Sequence, residues 1–208
     1  MNIIRLLFFP LVLLIILMIF VKNGDDTDKQ PLSKESTILA FGDSLTAGYG
    51  ASSGKDYPSQ LQRLSGIKVI NAGISGEVSA DGLKRLPELL QQYKPQVVIL
   101  CHGGNDILRK KSIHQLQENL RQMIVLAQNN GAEVLLVAVP NFGLLGLSPL
   151  SLYEVLADEY KLMFAEDVLS DVLGKNQLKS DTIHPNDKGY KVIAERFYKI
   201  LSDEGLLK

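Results

Sequence analysis

The chain has 208 residues, of which 46% are hydrophobic and 22% charged, with a formal net charge of -1. That length suits one full-sized domain rather than two, and the near-neutral charge gives no electrostatic basis for nucleic acid as a partner. The single cysteine, Cys101, cannot form an internal disulfide or a cysteine-pair metal site, and the three histidines (His102, His114, His184) lack the HExxH spacing of a zinc hydrolase. No metal and no cofactor is therefore expected.

The first element in chain order is an unbroken apolar run, Leu6 to Val21, with Arg5 before it and Lys22 after it. As a helix it would span roughly 24 Å, short of a bilayer core of about 30 Å. Ile3 and Ile4 extend the run and the flanking cations can snorkel, so a single span is feasible. Residues 1–22 thus read as a signal-anchor or a signal peptide. No small-x-small site follows the run, which favours the uncleaved anchor, and no cysteine follows for a lipoprotein link. Positive charge at Arg5 favours an N-in orientation with the remaining chain outside. Residues 23–35, rich in Asp, Lys, Asn, Gln and Ser, read as a linker, and 36–208 as the folded domain.

Within the domain, short β-branched runs alternate with helical patterns. Thr37–Phe41, Lys68–Asn71, Gln96–His102 and Glu133–Val139 read as strands, and their continuous apolar character suits a parallel sheet covered on both faces. Helices are expected over 57–64, 79–93 and 112–130, the last with Ile113, Leu116, Leu120, Met123, Ile124 and Ala127 on one stripe. A helix near 152–160, a fifth strand near 162–164 and a final helix over 187–201 complete the domain. This alternation predicts a three-layer α/β/α sandwich with a mostly parallel central sheet, preceded by an N-terminal hydrophobic helix. Ligands of such sheets bind at the carboxyl ends of the strands.

Those strand ends carry the candidate chemistry. The first strand runs into Phe41-Gly-Asp-Ser44-Leu45, so Ser44 stands at the mouth of the sheet as a candidate nucleophile, inactive until a base takes its proton. A serine there also serves as an ordinary helix cap, so the tripeptide alone decides nothing. Asp181-Thr-Ile-His184-Pro185 supplies an imidazole with a carboxylate three residues away, close enough to hold Nδ1 and leave Nε2 for Ser44. His114 reads as a solvated helix residue, whereas His102, ending the third strand, is either a structural hydrogen-bonding group or a substrate contact. The second and third strands run into Asn71-Ala-Gly-Ile-Ser-Gly76-Glu77 and His102-Gly-Gly-Asn105-Asp106, where Gly76 N–H and the Asn105 amide are candidate oxyanion donors. The loop Phe142-Gly-Leu-Leu-Gly-Leu147 follows the fourth strand. Its Leu144, Leu145 and Leu147 either cover an acyl chain, or pack into the core or touch lipid near the anchor.

Taken together, these blocks resemble the SGNH (GDSL) hydrolase superfamily. Gly42-Asp-Ser-Leu45 is similar to its nucleophile block, Gly103-Gly-Asn-Asp106 to its asparagine block and Asp181-Thr-Ile-His-Pro185 to its Asp-x-x-His block, in the same order over residues 37 to 201. Asn71-Ala-Gly-Ile-Ser-Gly76 followed by Gly82-Leu-Lys-Arg-Leu-Pro87 is similar to the branch of bacterial periplasmic acyl-CoA thioesterases, lysophospholipases and arylesterases. The resemblance implies Ser44 as nucleophile, His184 as base and Asp181 as its orienter, with Ser44 N–H, Gly76 N–H and Asn105 Nδ2 as the oxyanion hole and Asp43 in a structural role. Cys101 and His102 depart from the pattern, because that branch commonly has an acidic residue and a leucine there.

The expectation is therefore a serine hydrolase of carboxylic esters or thioesters acting on a small-molecule or lipid acyl substrate, with no obligate protein partner. It would be held in a bacterial inner membrane with its domain in the periplasm or outside the cell, or secreted to the periplasm after signal cleavage. The alternatives are a carbohydrate O-deacetylase, which the family also includes, and a non-catalytic binding module on the same fold. Gly48-Tyr-Gly-Ala-Ser-Ser-Gly54-Lys55 fails as a phosphate loop, since Tyr49 and Asp56 stand where the motif needs Gly and Ser or Thr.

Overall fold

The computed structural model describes residues 29–141 and 147–208. The expected N-terminal helix, most of the expected linker, and Leu144 and Leu145 of the apolar loop lie outside the described residues. One compact unit spans Pro31–Lys208. It takes in the end of the expected linker: Leu32 packs against the core and its N–H donates to Leu206 O at 2.9 Å. Among the described residues no helix is long and apolar enough to cross a membrane.

Five strands form the sheet: β1 Thr37–Gly42, β2 Lys68–Gly73, β3 Val97–Cys101, β4 Glu133–Val137 and β5 Met163–Ala165. All pairs are parallel, in the order β2-β1-β3-β4-β5. β1 and β3 are buried on both faces, as their unbroken apolar runs require. β2 lies at an edge and is half exposed, which accounts for Lys68 and Asn71 in its sequence.

The described helices are α1 Ser44–Ala47, α2 Tyr57–Ser65, α3 Ser79–Tyr93, α4 Gly104–Leu108, α5 Ile113–Asn129, α6 Ser151–Tyr160, α7 Val168–Leu173 and α8 Asp187–Asp203. On one side α2 packs on α8, and on the other α3 packs on α5, giving the three expected layers. α8 buries Tyr190, Ile193, Ala194, Phe197 and Leu201, a single helical stripe, with Phe197 edge-on to Tyr57 of α2 at 5.1 Å. The short helices α1, α4 and α7 were not expected from the sequence, because fewer than two turns leave no periodicity to read.

The chain leaves β1 toward β2 on one side and β3 on the other, so the order reverses between β1 and β3. A crevice opens at the carboxyl ends of the strands at such a switch point. Gly42 is required there, because a Cβ would overlap the Cys101 carbonyl oxygen and Thr46 Oγ1. The close approach of β1 to β3 at this level brings the turns after them together.

Candidate active site

Ser44 is the first residue of α1, presented at the end of β1. Asp43 caps the helix: its Oδ1 accepts from Leu45 N–H at 3.1 Å and its Oδ2 accepts from Asn105 Nδ2 at 3.3 Å. Burial raises the Asp43 carboxyl above its ordinary range, a push resisted by His102 and by these two donors. Asp43 thus fixes the serine turn and the Asn105 amide with one side chain.

The Asp181–His184 loop reaches Ser44 from the far end of the sequence. His184 Nε2 lies 3.0 Å from Ser44 Oγ, and His184 Nδ1 lies 2.8 Å from Asp181 Oδ2. Asp181 Oδ1 also accepts from Ile183 N–H at 2.9 Å and His184 N–H at 2.8 Å. Burial opposes the charge on Asp181, but these bonds outweigh it and hold the carboxyl below its usual range. A charged acceptor at Nδ1 fixes the tautomer with its proton there, leaving the Nε2 lone pair for the Ser44 hydroxyl. Asn186 fastens the loop: its side chain donates to Gln177 O and Lys179 O, and its Oδ1 caps α8 by accepting from Lys188 N–H and Gly189 N–H.

Opposite the histidine, the turns after β2 and β3 bring Gly76 and Asn105 to the same cleft as Ser44 and His184. Gly76 has φ +81°, a turn conformation that glycine adopts freely. The cleft holds about 220 Å³, and Leu45, Tyr49, Leu108 and Ile183 form its apolar walls. All five expected catalytic and oxyanion residues, Ser44, Asp181, His184, Gly76 and Asn105, therefore meet at one sheet edge.

The expected substrate contacts fare differently. His102 is fully buried and does not line the cleft, so it is a structural group and not a substrate contact. Its Nδ1 accepts from Gly103 N–H at 3.1 Å, which leaves the proton on Nε2 to donate to Glu77 Oε2 at 3.1 Å. Glu77 in turn accepts two bonds from Arg85, at 2.7 and 2.6 Å. Arg85 also donates to Ala72 O and Gly42 O and covers the Phe41 ring at 4.2 Å. Burial disfavours charge on Glu77, yet His102 and Arg85 more than offset it and lower its carboxyl. Leu147 is half-buried against the core and is not among the residues that line the cleft. His114 is exposed, as expected, and burial pushes the Cys101 thiol well up, so it is no rival nucleophile. Among the described residues no cluster of His, Cys, Asp and Glu could hold a metal ion. The sequence reading missed Tyr49, Leu108 and Ile183 as walls. An aromatic between two glycines four residues past the nucleophile turn was the available signal for Tyr49.

The GDSL-like Lipase/Acylhydrolase family matches residues 40–192. The chain belongs to that family. It is similar to Esterase TesA of Pseudomonas aeruginosa, 38% identical over 159 residues covering 72% of this chain and 79% of the relative. It is also similar to Thioesterase 1/protease 1/lysophospholipase L1 of Escherichia coli K12, 37% identical over 79% of this chain and 83% of that protein. Among solved structures, the esterase EstA from Pseudoalteromonas matches with a TM-score of 0.72 at 31% identity, covering 81% of this chain and 97% of that one. This GDSL-family chain is accordingly a hydrolase of ester bonds of the esterase/thioesterase kind.

Proposed function

We propose that the chain hydrolyses carboxylic esters or thioesters of acyl substrates through an acyl-enzyme on Ser44. The observation that carries this reading is the unbroken line from Asp181 through His184 to Ser44, at 2.8 and 3.0 Å. As Ser44 Oγ attacks the carbonyl carbon, its proton passes to His184 Nε2, and Asp181 stabilises the imidazolium through Nδ1–H. The carbonyl oxygen becomes an oxyanion facing Ser44 N–H, Gly76 N–H and the Asn105 Nδ2 proton that Asp43 does not take. On collapse the bond to the alcohol or thiol breaks, and His184 returns the proton to the leaving atom. Water then repeats the sequence on the acyl-serine and releases the acid.

A fluorophosphonate probe tests this directly: it should label Ser44 in the wild type, and p-nitrophenyl butyrate should give a burst matching one acyl group per chain. Unchanged hydrolysis by Ser44→Ala would overturn the assignment. Apolar cleft walls favour an acyl ester over an acetylated sugar, so a chain-length series of p-nitrophenyl esters and acyl-CoA thioesters should rise from acetyl toward octanoyl. The apolar sequence of the loop that carries Leu144 and Leu145 supports a part for both in acyl-chain selection, and replacing both with serine should flatten the series. A preference for acetyl over octanoyl would promote the O-deacetylase instead. The apolar run Leu6–Val21 supports export with retention as a membrane anchor. Release of the full chain from washed membranes by high salt alone would count against the anchor.

A further inference from the structure

Among the described residues six large hydrophobic side chains are exposed, and Tyr49 is the most exposed of them at 56%. It is also a wall of the cleft, with its ring tilted against that of His184 at a centroid separation of 4.5 Å. The backbone beneath it is fixed. Tyr49 N–H donates to Ser44 O at 3.0 Å, and Tyr49 O accepts from the buried Tyr190 hydroxyl at 2.8 Å. An aromatic ring held in place at a cleft mouth, half in water, has no core to fill. Such a ring offers a flat apolar face at little entropic cost to whatever docks there.

The chemistry of the site says which part of a substrate that is. Four groups surround the carbonyl carbon in the tetrahedral intermediate: Ser44 Oγ, the oxyanion, the acyl chain and the leaving oxygen. The oxyanion must face Gly76 and Asn105. The leaving oxygen must lie within hydrogen-bond reach of His184 Nε2, because that nitrogen gives it a proton as the carbon–oxygen bond breaks. Whatever is attached to the leaving oxygen therefore extends past the imidazole, where Tyr49 stands on one side and Ile183, the residue before His184, lines the cleft. The acyl chain leaves the same carbon in another direction.

We propose that Tyr49 is a specificity-determining residue for the alcohol half of the ester, forming with Ile183 a leaving-group subsite that takes a planar aromatic alcohol. This rests on the Ser44–His184 reading and adds to it the side of the cleft on which each half of the substrate lies. Its consequence is confined to acylation, the step in which the alcohol is still attached. Deacylation acts on an acyl-serine from which the alcohol has gone, so Tyr49 has no leaving group to touch there.

The test uses phenyl and methyl butyrate, which share an acyl group and hence one acyl-enzyme. The ratio of kcat/KM for phenyl over methyl should fall about tenfold in Tyr49→Ala, within the range an aromatic pair supplies, and return to the wild-type ratio in Tyr49→Phe. The decay rate of the butyryl-enzyme, read after a burst, should remain within about twofold of wild type in both variants. Equal losses for both esters with slowed deacylation would make Tyr49 a support for the His184 ring and overturn the proposal, and so would an unchanged ratio. Failure of the underlying reading is separate: the wild type would then show no burst and no fluorophosphonate label on Ser44.

Discussion

The two sides of the cleft are built in different ways. On the histidine side, residues 180–186 make a loop closed largely on itself: Asp181 binds His184 twice and accepts from Ile183 N–H, Ser180 N–H donates to His184 O, and Asn186 pins the exit. Asp181 itself is exposed. On the oxyanion side Gly76 comes from the turn after β2 and Asn105 from α4 after β3, and side chains from several elements hold them. Glu77, Arg85 and His102 join the turns after β2 and β3 to the end of β1. Asp106 of α4 accepts from Ser79 N–H and Oγ–H at the start of α3, both at 2.8 Å, and Arg109 donates to Gly76 O. In the proposed mechanism, proton transfer is thus a local module laid on the domain, whereas the oxyanion geometry is a property of the packed sheet end. Damage on the first side should remove chemistry and spare the fold. Damage on the second should affect both.

The largest effects test the first half of that contrast. Ser44→Ala and His184→Ala should each lower kcat by about 10³-fold or more, because the triad acts as a unit. Their thermal midpoints should move by less than about 2 °C, the range of a substitution outside core and caps. Asp181→Asn should cost less activity than either, since the proton acceptor on His184 remains. A midpoint drop of many degrees in His184→Ala would break the picture of a detachable module. On the other side, Asn105→Ala should lower kcat roughly 10²-fold with KM little changed, the signature of a donor engaged in the transition state. A loss confined to KM would make Asn105 an ordinary binding contact.

The same contrast explains what could be read from the sequence. Asp181, His184, the Gly42–Leu45 turn and the Gly103–Asp106 turn are contiguous blocks, and the chemistry within each is legible residue by residue. The strands were legible because burial on both faces leaves continuous runs such as Val97–Cys101. Pairing across the sheet was not. Glu77 and Arg85 sit eight residues apart and look like ordinary surface charges, and nothing local says that His102, 25 residues from Glu77, closes the network. His102 was accordingly left between a structural and a substrate role. Only the register of β1 against β3 decides for the first, by placing the ring against Phe41 inside the sheet end, at a centroid distance of 5.8 Å.

That network supplies the next, smaller effect. In Glu77→Gln the amide keeps one acceptor oxygen but turns an NH₂ toward groups that are all donors, His102 Nε2–H and the Arg85 guanidinium. The Gly76 turn should lose its fixed position, and kcat should fall about tenfold with KM within about twofold. Combining the change with Asn105→Ala discriminates between causes. If Glu77 acts through the oxyanion hole, its tenfold effect should shrink below about threefold once Asn105 is gone, a coupling that independent sites do not show. Full additivity would mean that the buried network holds the fold and leaves the hole alone.

The smallest expected effect concerns acid. The Glu77 carboxyl is lowered in the folded chain, so between that value and the ordinary glutamate value of about 4.3 the unfolded chain binds more protons than the folded one. Its contribution to stability is therefore complete above about pH 5 and is lost as the pH falls through the folded value. Glu77→Gln has no such contribution at any pH. The gap in thermal midpoint between wild type and variant should be widest at neutral pH, hold steady down to about pH 5, and close progressively below. Asp181, Asp187, Glu118 and Glu159 are lowered as well, but both proteins carry them, and they cancel in the difference. Added salt should leave the gap standing, because the Glu77 side chain is only 6% exposed, whereas a pair such as Lys84–Asp81 sits in water and is screened. A gap of constant size from pH 7 to pH 3 would assign the loss to the misfit of the amide rather than to the missing charge. The oxyanion side would then be held by shape, with charge incidental to it.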